Sequence, residues 1–317
     1  MDVVVSLIGG LGFFLFGMSY MNDALQNAAG KKMKYILSVL TKNKLTSVIV
    51  GTIVTGIIQS SSAITVMVVS FVNAELMNLN QAVGIIMGAN IGTTVTALLI
   101  SFDIAKFATL LGAIGVFVYL ASKNNKIKYI AQVVIGFGIL FVGMNIMEGA
   151  MMPLRENPLF TNLMIRFDNP YLGILVGFAM TAVLQSSSAT TGLLIATAAT
   201  GVISFNQAYP MVFGQNIGTC VTAMLASIGT NITAKRAAFI HLLFNIIGTI
   251  LFVLILRIPA EILILKIVPM NIPRQIALGN IVFNVVSVIV LYPFSNMLVK
   301  ASIIFVKGKQ RKNHKYV

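Results

Sequence analysis

The chain has 317 residues, of which 57% are hydrophobic and only 9% charged. A soluble domain carries about 25% charged residues, so the composition excludes a water-soluble domain and points to an all-α polytopic membrane protein. The net charge of +14 does not indicate nucleic acid, since 16 of the 22 basic residues cluster at 31–44, 123–128, 235–236 and 300–315, between or after apolar runs, as the positive-inside rule arranges them.

The first apolar run, 3–21, has no basic leader and no small-residue cleavage site, so it reads as a retained span. A strongly basic stretch, 24–45, follows and is expected at the membrane interface. Residues 45–74 contain QSSSAIT at 59–65, and residues 80–101 contain NIGT at 90–93. A further span, 106–121, closes the first unit. The second unit repeats this order: a span at 130–148, a connection of mixed charge at 149–170, QSSSATT within 171–200, NIGT within 206–227, and a span at 235–256. An extra span, 275–298, and a basic tail end the chain. The expected division is therefore repeat 1 over 1–129, repeat 2 over 130–257, an added transmembrane segment over 258–299 and a cytoplasmic tail over 300–317.

One offset of 126 residues relates the two units. GANIGTTVTALLIS, 88–101, matches GQNIGTCVTAMLAS, 214–227, at 10 of 14 positions without a gap. Gly10, Gly17, Gly51 and Thr55 fall on Gly136, Gly143, Gly177 and Thr181. The span glycines are expected to serve helix packing.

The two arms around Gln59, 45–59 and 62–74, would be about 22 and 20 Å long as helices. Neither easily crosses a hydrocarbon core of about 30 Å, but each reaches its midplane. A re-entrant hairpin would then carry the serines deep into the protein, where irregular backbone is tolerated only if it lines a cavity or is buried. NIGT reads as a break in a discontinuous helix, with Gly88, Asn90 and Gly92 as breakers. Paired broken helices are the best sequence pointer to a transporter's binding site. Exposed helix amides favour an anion, while hydroxyl and carbonyl oxygens suit a hard cation.

The candidate anion contacts are Gln59, Ser60, Ser61, Ser62 and Thr93, with Gln185, Ser186, Ser187, Ser188 and Thr219 in the second unit. The candidate cation ligands are Ser61, Ser62, Thr65, Asn90 and Thr94, with Ser187, Ser188, Thr191 and Asn216. No acidic residue lies in either motif, which favours sodium over protons as a coupling ion. Carrying a dianion into a negative-inside cell costs about 4.6 kcal/mol per 100 mV, and co-bound cations would offset that charge. Asp23 and Glu148 lie near span ends and read as interfacial, His241 as a hydrogen-bonded interior group. Asn245 and Asn284 fit a site or a cross-helix bond equally well. The single Cys220 and two histidines exclude a thiolate or histidine metal cluster. No motif of hydrolytic or nucleotide chemistry is present, so no enzyme is expected.

QSSS followed by G-x-N-I-G-T, repeated once, resembles the type II sodium-dependent phosphate cotransporters, solute carrier family 34 and its bacterial relatives. The resemblance implies sodium-coupled symport of inorganic phosphate, inverted repeats, QSSS hairpins that contact substrate and sodium at 59–62 and 185–188, and a homodimer. Ala89 against Gln215, and Thr94 against Cys220, are departures that leave the sodium stoichiometry open. With hairpins there are seven crossings, an outside N-terminus, a cytoplasmic C-terminus and inverted units. If each QSSS segment crossed once, the units would be parallel, yet both arrangements place 16 basic residues inside and six outside. A symporter of another small oxyanion, an anion channel and a non-transporting scaffold are the alternatives.

Overall fold

The computed structural model describes residues 2–39, 41, 43–102, 104–153, 157 and 166–308. Among these the secondary structure is all helical. The first unit contributes α1 (Asp2–Val39), α2 (Lys44–Ile58), α3 (Ser61–Asn73), α4 (Leu79–Ile100) and α5 (Ala105–Ala121). Next come α6 (Asn125–Met151), a 3-10 turn (Arg166–Asp168), α7 (Pro170–Leu184), α8 (Ser187–Ala199), α9 (Phe205–Ala226) and α10 (Ile232–Leu251). A π-helical turn (Phe252–Leu256) joins α10 to α11 (Arg257–Ile267), and α12 (Ile272–Leu291) and α13 (Ser295–Phe305) complete the fold. Among the described residues, five stretches are long and apolar enough to cross a membrane: Val3–Ala28, Leu79–Ile100, Asn125–Met151, Ile232–Ile267 and Ile272–Leu291.

The 126-residue offset reappears in the element bounds. Adding it to the ends of α2, α3 and α4 gives the ends of α7, α8 and α9. The contacts repeat as well. A Cβ on Gly51 would lie 2.6 Å from the Ile85 carbonyl oxygen, and one on the corresponding Gly177 would meet the Met211 backbone. Moving along α4, Gly84 meets Lys44 and Ser47, Gly88 meets Val48 and Thr52, and Gly92 meets Thr52 and Thr55. Positions advance together, so α2 and α4 run parallel with their backbones in contact, as α7 and α9 do. Since α4 starts where α2 starts, α3 must bring the chain back; the Gln81 side-chain amide donates to the Thr41 carbonyl at 2.7 Å at that end.

Helices α1 and α6 are counterparts, yet they run antiparallel. Gly17 faces Gly136 and Gly10 faces Gly143, the two contacts being exchanged by the offset. A Cβ on either Gly17 or Gly136 would lie 2.6 Å from the other's carbonyl oxygen. Gly10 and Gly17 thus serve packing as expected. Gly9 and Gly12 do not, for neither has a neighbour within 4 Å of a built Cβ.

One expectation needs correction. The NIGT segments do not break a helix: α4 and α9 run through them unbroken. Glycine there gives close approach to a neighbouring backbone, which keeps each turn packed rather than opening it. The basic stretch 24–45 continues the first span as helix, α1 running on to Val39; its Ala, Gln and Lys residues are good helix formers and no proline intervenes. The extra span matches α12, but α13 then extends past residue 299 into the region read as tail. Residues 309–317 of that tail lie outside the described residues.

The glycine contacts are testable. Gly51→Ala should cost about 1–3 kcal/mol by overpacking, because the three nearest atoms are all Ile85 backbone and cannot yield. Gly9→Ala, with open space around it, should be neutral or slightly stabilising. Melting temperatures of the two purified variants in detergent check both.

Candidate functional site

Of the two interruptions expected in each unit, the one at QSSS is present. Helix α2 ends at Ile58, and Gln59 adopts a left-handed conformation (φ 59°) while its amide donates to the Thr55 carbonyl at 2.7 Å. Ser60 is extended and caps α3, its Oγ accepting from the Ala63 amide at 3.2 Å. Gln185 (φ 52°) and Ser186 repeat this, with Ser186 Oγ accepting from the Ala189 amide at 3.2 Å. Two residues therefore stop one helix and start another. A left-handed residue that is neither glycine nor asparagine costs of order 1–3 kcal/mol and is typical of functional sites.

This geometry puts the first turns of α3 and α8 face to face. Ser62 Oγ donates to the Gln185 carbonyl at 3.4 Å, so the two tips touch. Between them and α1 lies a cavity of about 330 Å³, lined by Gln59, Ser60, Ser61 and Ser62, by Leu184 and Gln185, and by Ser186, Ser187 and Ser188. The amides at positions 61, 62, 187 and 188 stand in the first turns of their helices, where no helical carbonyl can accept from them. Both helix N-termini therefore turn partial positive charge toward the cavity. Among the described residues of its lining there is no Lys or Arg.

The remaining predicted residues are not brought into this cavity. Thr93 and Thr219 hydroxyls donate to Ala89 and Gln215 carbonyls of their own helices at 3.0 and 2.9 Å, and Thr94 to Ile91 at 2.7 Å. Thr65 donates to the Ser62 carbonyl at 3.1 Å, and Thr191 to Gln215 Oε1 at 2.6 Å. Asn90 and Asn216 bind other helices. Asn90 Nδ2 donates to Asn245 Oδ1 at 2.8 Å, with His241 Nε2 3.3 Å from Asn90 Oδ1. Asn216 Nδ2 reaches Asn280 Oδ1 at 3.5 Å, and Asn284 Nδ2 donates to the same oxygen at 2.8 Å. Asn245 thus makes a cross-helix bond, while Asn284 bonds within α12.

Two groups of residues escaped the sequence reading. Helix α1 contributes Ser19, Asn22, Asp23 and Gln26 to the cavity wall, together with Leu15 and Met18. Their spacing of three and four residues marks one face of a helix, but nothing local shows that this face meets the tips. The second group is Thr96 and its counterpart Thr222. Thr96 Oγ1 donates to the buried Gln59 Oε1 at 2.6 Å, whereas Gln185 is exposed and Thr222 Oγ1 is buried without a partner. The two tips thus share a backbone but differ in side-chain state.

A larger cavity of about 400 Å³ lies at the other end of α8, lined by Ala198, Ala199, Asn145, Glu148 and Asn271 among others. It contains no part of either QSSS motif.

Comparison with known sequences bears directly on these two tips. The Na+/Pi-cotransporter family matches residues 13–149 and 151–270, which include both. The chain belongs to this family. Among its relatives, the Bacillus subtilis protein YqeW is 29% identical over 312 residues, covering 98% of this chain and 100% of its own length. The putative inorganic phosphate export protein YjbB of Escherichia coli is 29% identical over 301 residues, 93% of this chain but 54% of that protein. The chain therefore spans about half the length of that relative. The human sodium-dependent phosphate transport protein 2C is 41% identical over 95 residues, 28% of this chain and 16% of its own. No solved structure matches the chain.

Thr96→Val should lower the melting temperature in detergent, since a buried Gln59 oxygen left without its donor costs about 1–3 kcal/mol. Thr222→Val removes a hydroxyl that has no partner and should leave it unchanged.

Proposed function

We propose that the protein carries inorganic phosphate across the plasma membrane together with sodium, by alternating access, with the anion held between the two QSSS tips. The observation that carries this reading is the cavity faced by two serine-capped helix N-termini, with no Lys or Arg among the described residues of its lining. Helix amides and neutral hydroxyls can replace the hydration of a tetrahedral anion without a fixed positive charge. A site that held a permanent cation against the anion would release it less readily; neutral donors leave charge balance to ions that travel with it.

Phosphate is assigned to Gln59, Ser60, Ser61, Ser62, Gln185, Ser186, Ser187 and Ser188, with the serine hydroxyls also open to sodium. Asn90 and Asn216 are assigned to helix pairing instead. The parallel course of α2 and α4, with α3 returning, supports a re-entrant hairpin in each unit. The antiparallel course of α1 and α6 supports inverted repeats, which leave the N-terminus outside and the C-terminus in the cytoplasm. Rocking of one bundle against the other would expose the tips to each side in turn. The name of the Escherichia coli relative raises export as the working direction. The same site serves either direction, because a symporter follows the summed gradients of its solutes.

Purified protein in liposomes should accumulate radiolabelled phosphate above the external level with an inward sodium gradient, and fail to do so with potassium. Equilibration without sodium would identify a channel or uniporter instead. Ser61→Ala and Ser187→Ala should each lower uptake at least about tenfold without loss of folded protein, the loss expected when an oriented donor is removed from an anion. Unchanged sodium and phosphate dependence in both variants would remove the tips as the site.

A further inference from the structure

The cavity has two chemically different walls. One is made of the α3 and α8 N-termini, which offer donors and partial positive charge. The other is the α1 face that carries Ser19, Asn22, Asp23 and Gln26. Among the described residues of the lining Asp23 is the one formal charge; it is exposed, and Ser19 stands one helical turn before it on the same face of α1. Both groups are acceptors. Opposite two helix N-termini they complete a site that is positive on one side and negative on the other.

A lone carboxylate on the wall of an anion site repels the anion and weakens its binding. An ionisable residue of a membrane helix that faces a cavity marks an ion path, and here the sign of the charge selects a cation. We propose that Asp23, with the Ser19 hydroxyl one turn before it, binds the coupling sodium ion on the α1 wall, between the carboxylate and the transported anion. This deepens the function proposed above and rests on it. The cation would neutralise Asp23 and leave the tips free to hold phosphate. By linkage, sodium and phosphate would then each raise the other's affinity by the same factor. The counterpart of Asp23 in the second unit is Gly149, so the carboxylate is supplied from one side only, and the two halves of the site are not equivalent toward the cation.

The test is sodium-dependent thermal stabilisation of purified protein in detergent, with choline and potassium chloride as controls, for wild type and Asp23→Asn. The substitution keeps the shape and removes the charge. Asp23→Asn should keep the wild-type melting temperature without sodium, while half-maximal stabilisation by sodium shifts upward by roughly three- to tenfold, the loss of an accessible charge contact. Phosphate should stabilise Asp23→Asn in choline at least as well as it does wild type, and added sodium should enhance this less. An unchanged sodium midpoint, with sodium still stabilising wild type, would overturn the inference and leave the proposed symport intact. Wild-type protein that sodium does not stabilise in the presence or absence of phosphate would overturn this site; sodium-independent uptake in liposomes would separately overturn the symport reading.

Discussion

The structure depends on backbone-to-backbone contact between α2 and α4, and again between α7 and α9. Glycines at 51, 84, 88 and 92 remove the side chains that would hold these helices apart. Once α4 lies parallel to α2, the path between them is constrained. The chain has to reverse after α2, return through α3, and start α4 beside the point where α2 began. The reversal falls at Gln59 and Ser60, so the contact that packs the scaffold also decides where the tip lies. The α1–α6 pair, in contact through Gly17 and Gly136, then brings the second tip up against the first.

What the two tips present is chemically spare. Each is a glutamine in a left-handed turn followed by a serine that caps the next helix. The strain of the turn is borne by a short amide-to-carbonyl bond at 2.7 Å in both units. The gain is a helix N-terminus aimed into a cavity whose described lining residues carry no positive charge. This differs from the usual anion site built on Arg or Lys, and suits a solute that must be released after it is bound. The side chains at the two tips are not in the same state: Gln59 is held by Thr96, whereas Gln185 is exposed.

Much of this was legible in the sequence, for identifiable reasons. Length, hydropathy and the 126-residue repeat depend only on local composition and self-similarity. The QSSS motif stands out because consecutive hydroxyls in apolar surroundings need partners. The error at NIGT is instructive. Glycine both breaks helices and permits their close approach, and the two uses look alike along a single chain. Gly88 and Gly92 proved to be contact positions because α2 lies against them, a fact that no property of residues 80–101 contains. The partners of Asn90 and Asn216 were not legible for the same reason: they are on α10 and α12, more than 60 residues away.

The sequence by itself determined the membrane class, the duplication, the tip residues and the family. It did so because each is encoded in residue type and spacing. The tertiary structure alone decided which helices touch: the parallel pairing of α2 with α4, the antiparallel pairing of α1 with α6, and the wall that α1 offers to the tips. Asp23 shows the difference most plainly. As a residue near the end of an apolar run it reads as interfacial, and only the packing of α1 beside the two QSSS segments makes it part of the cavity lining. Hydropathy measures how a segment meets lipid or water, but the neighbour that a helix face meets is set by long-range packing.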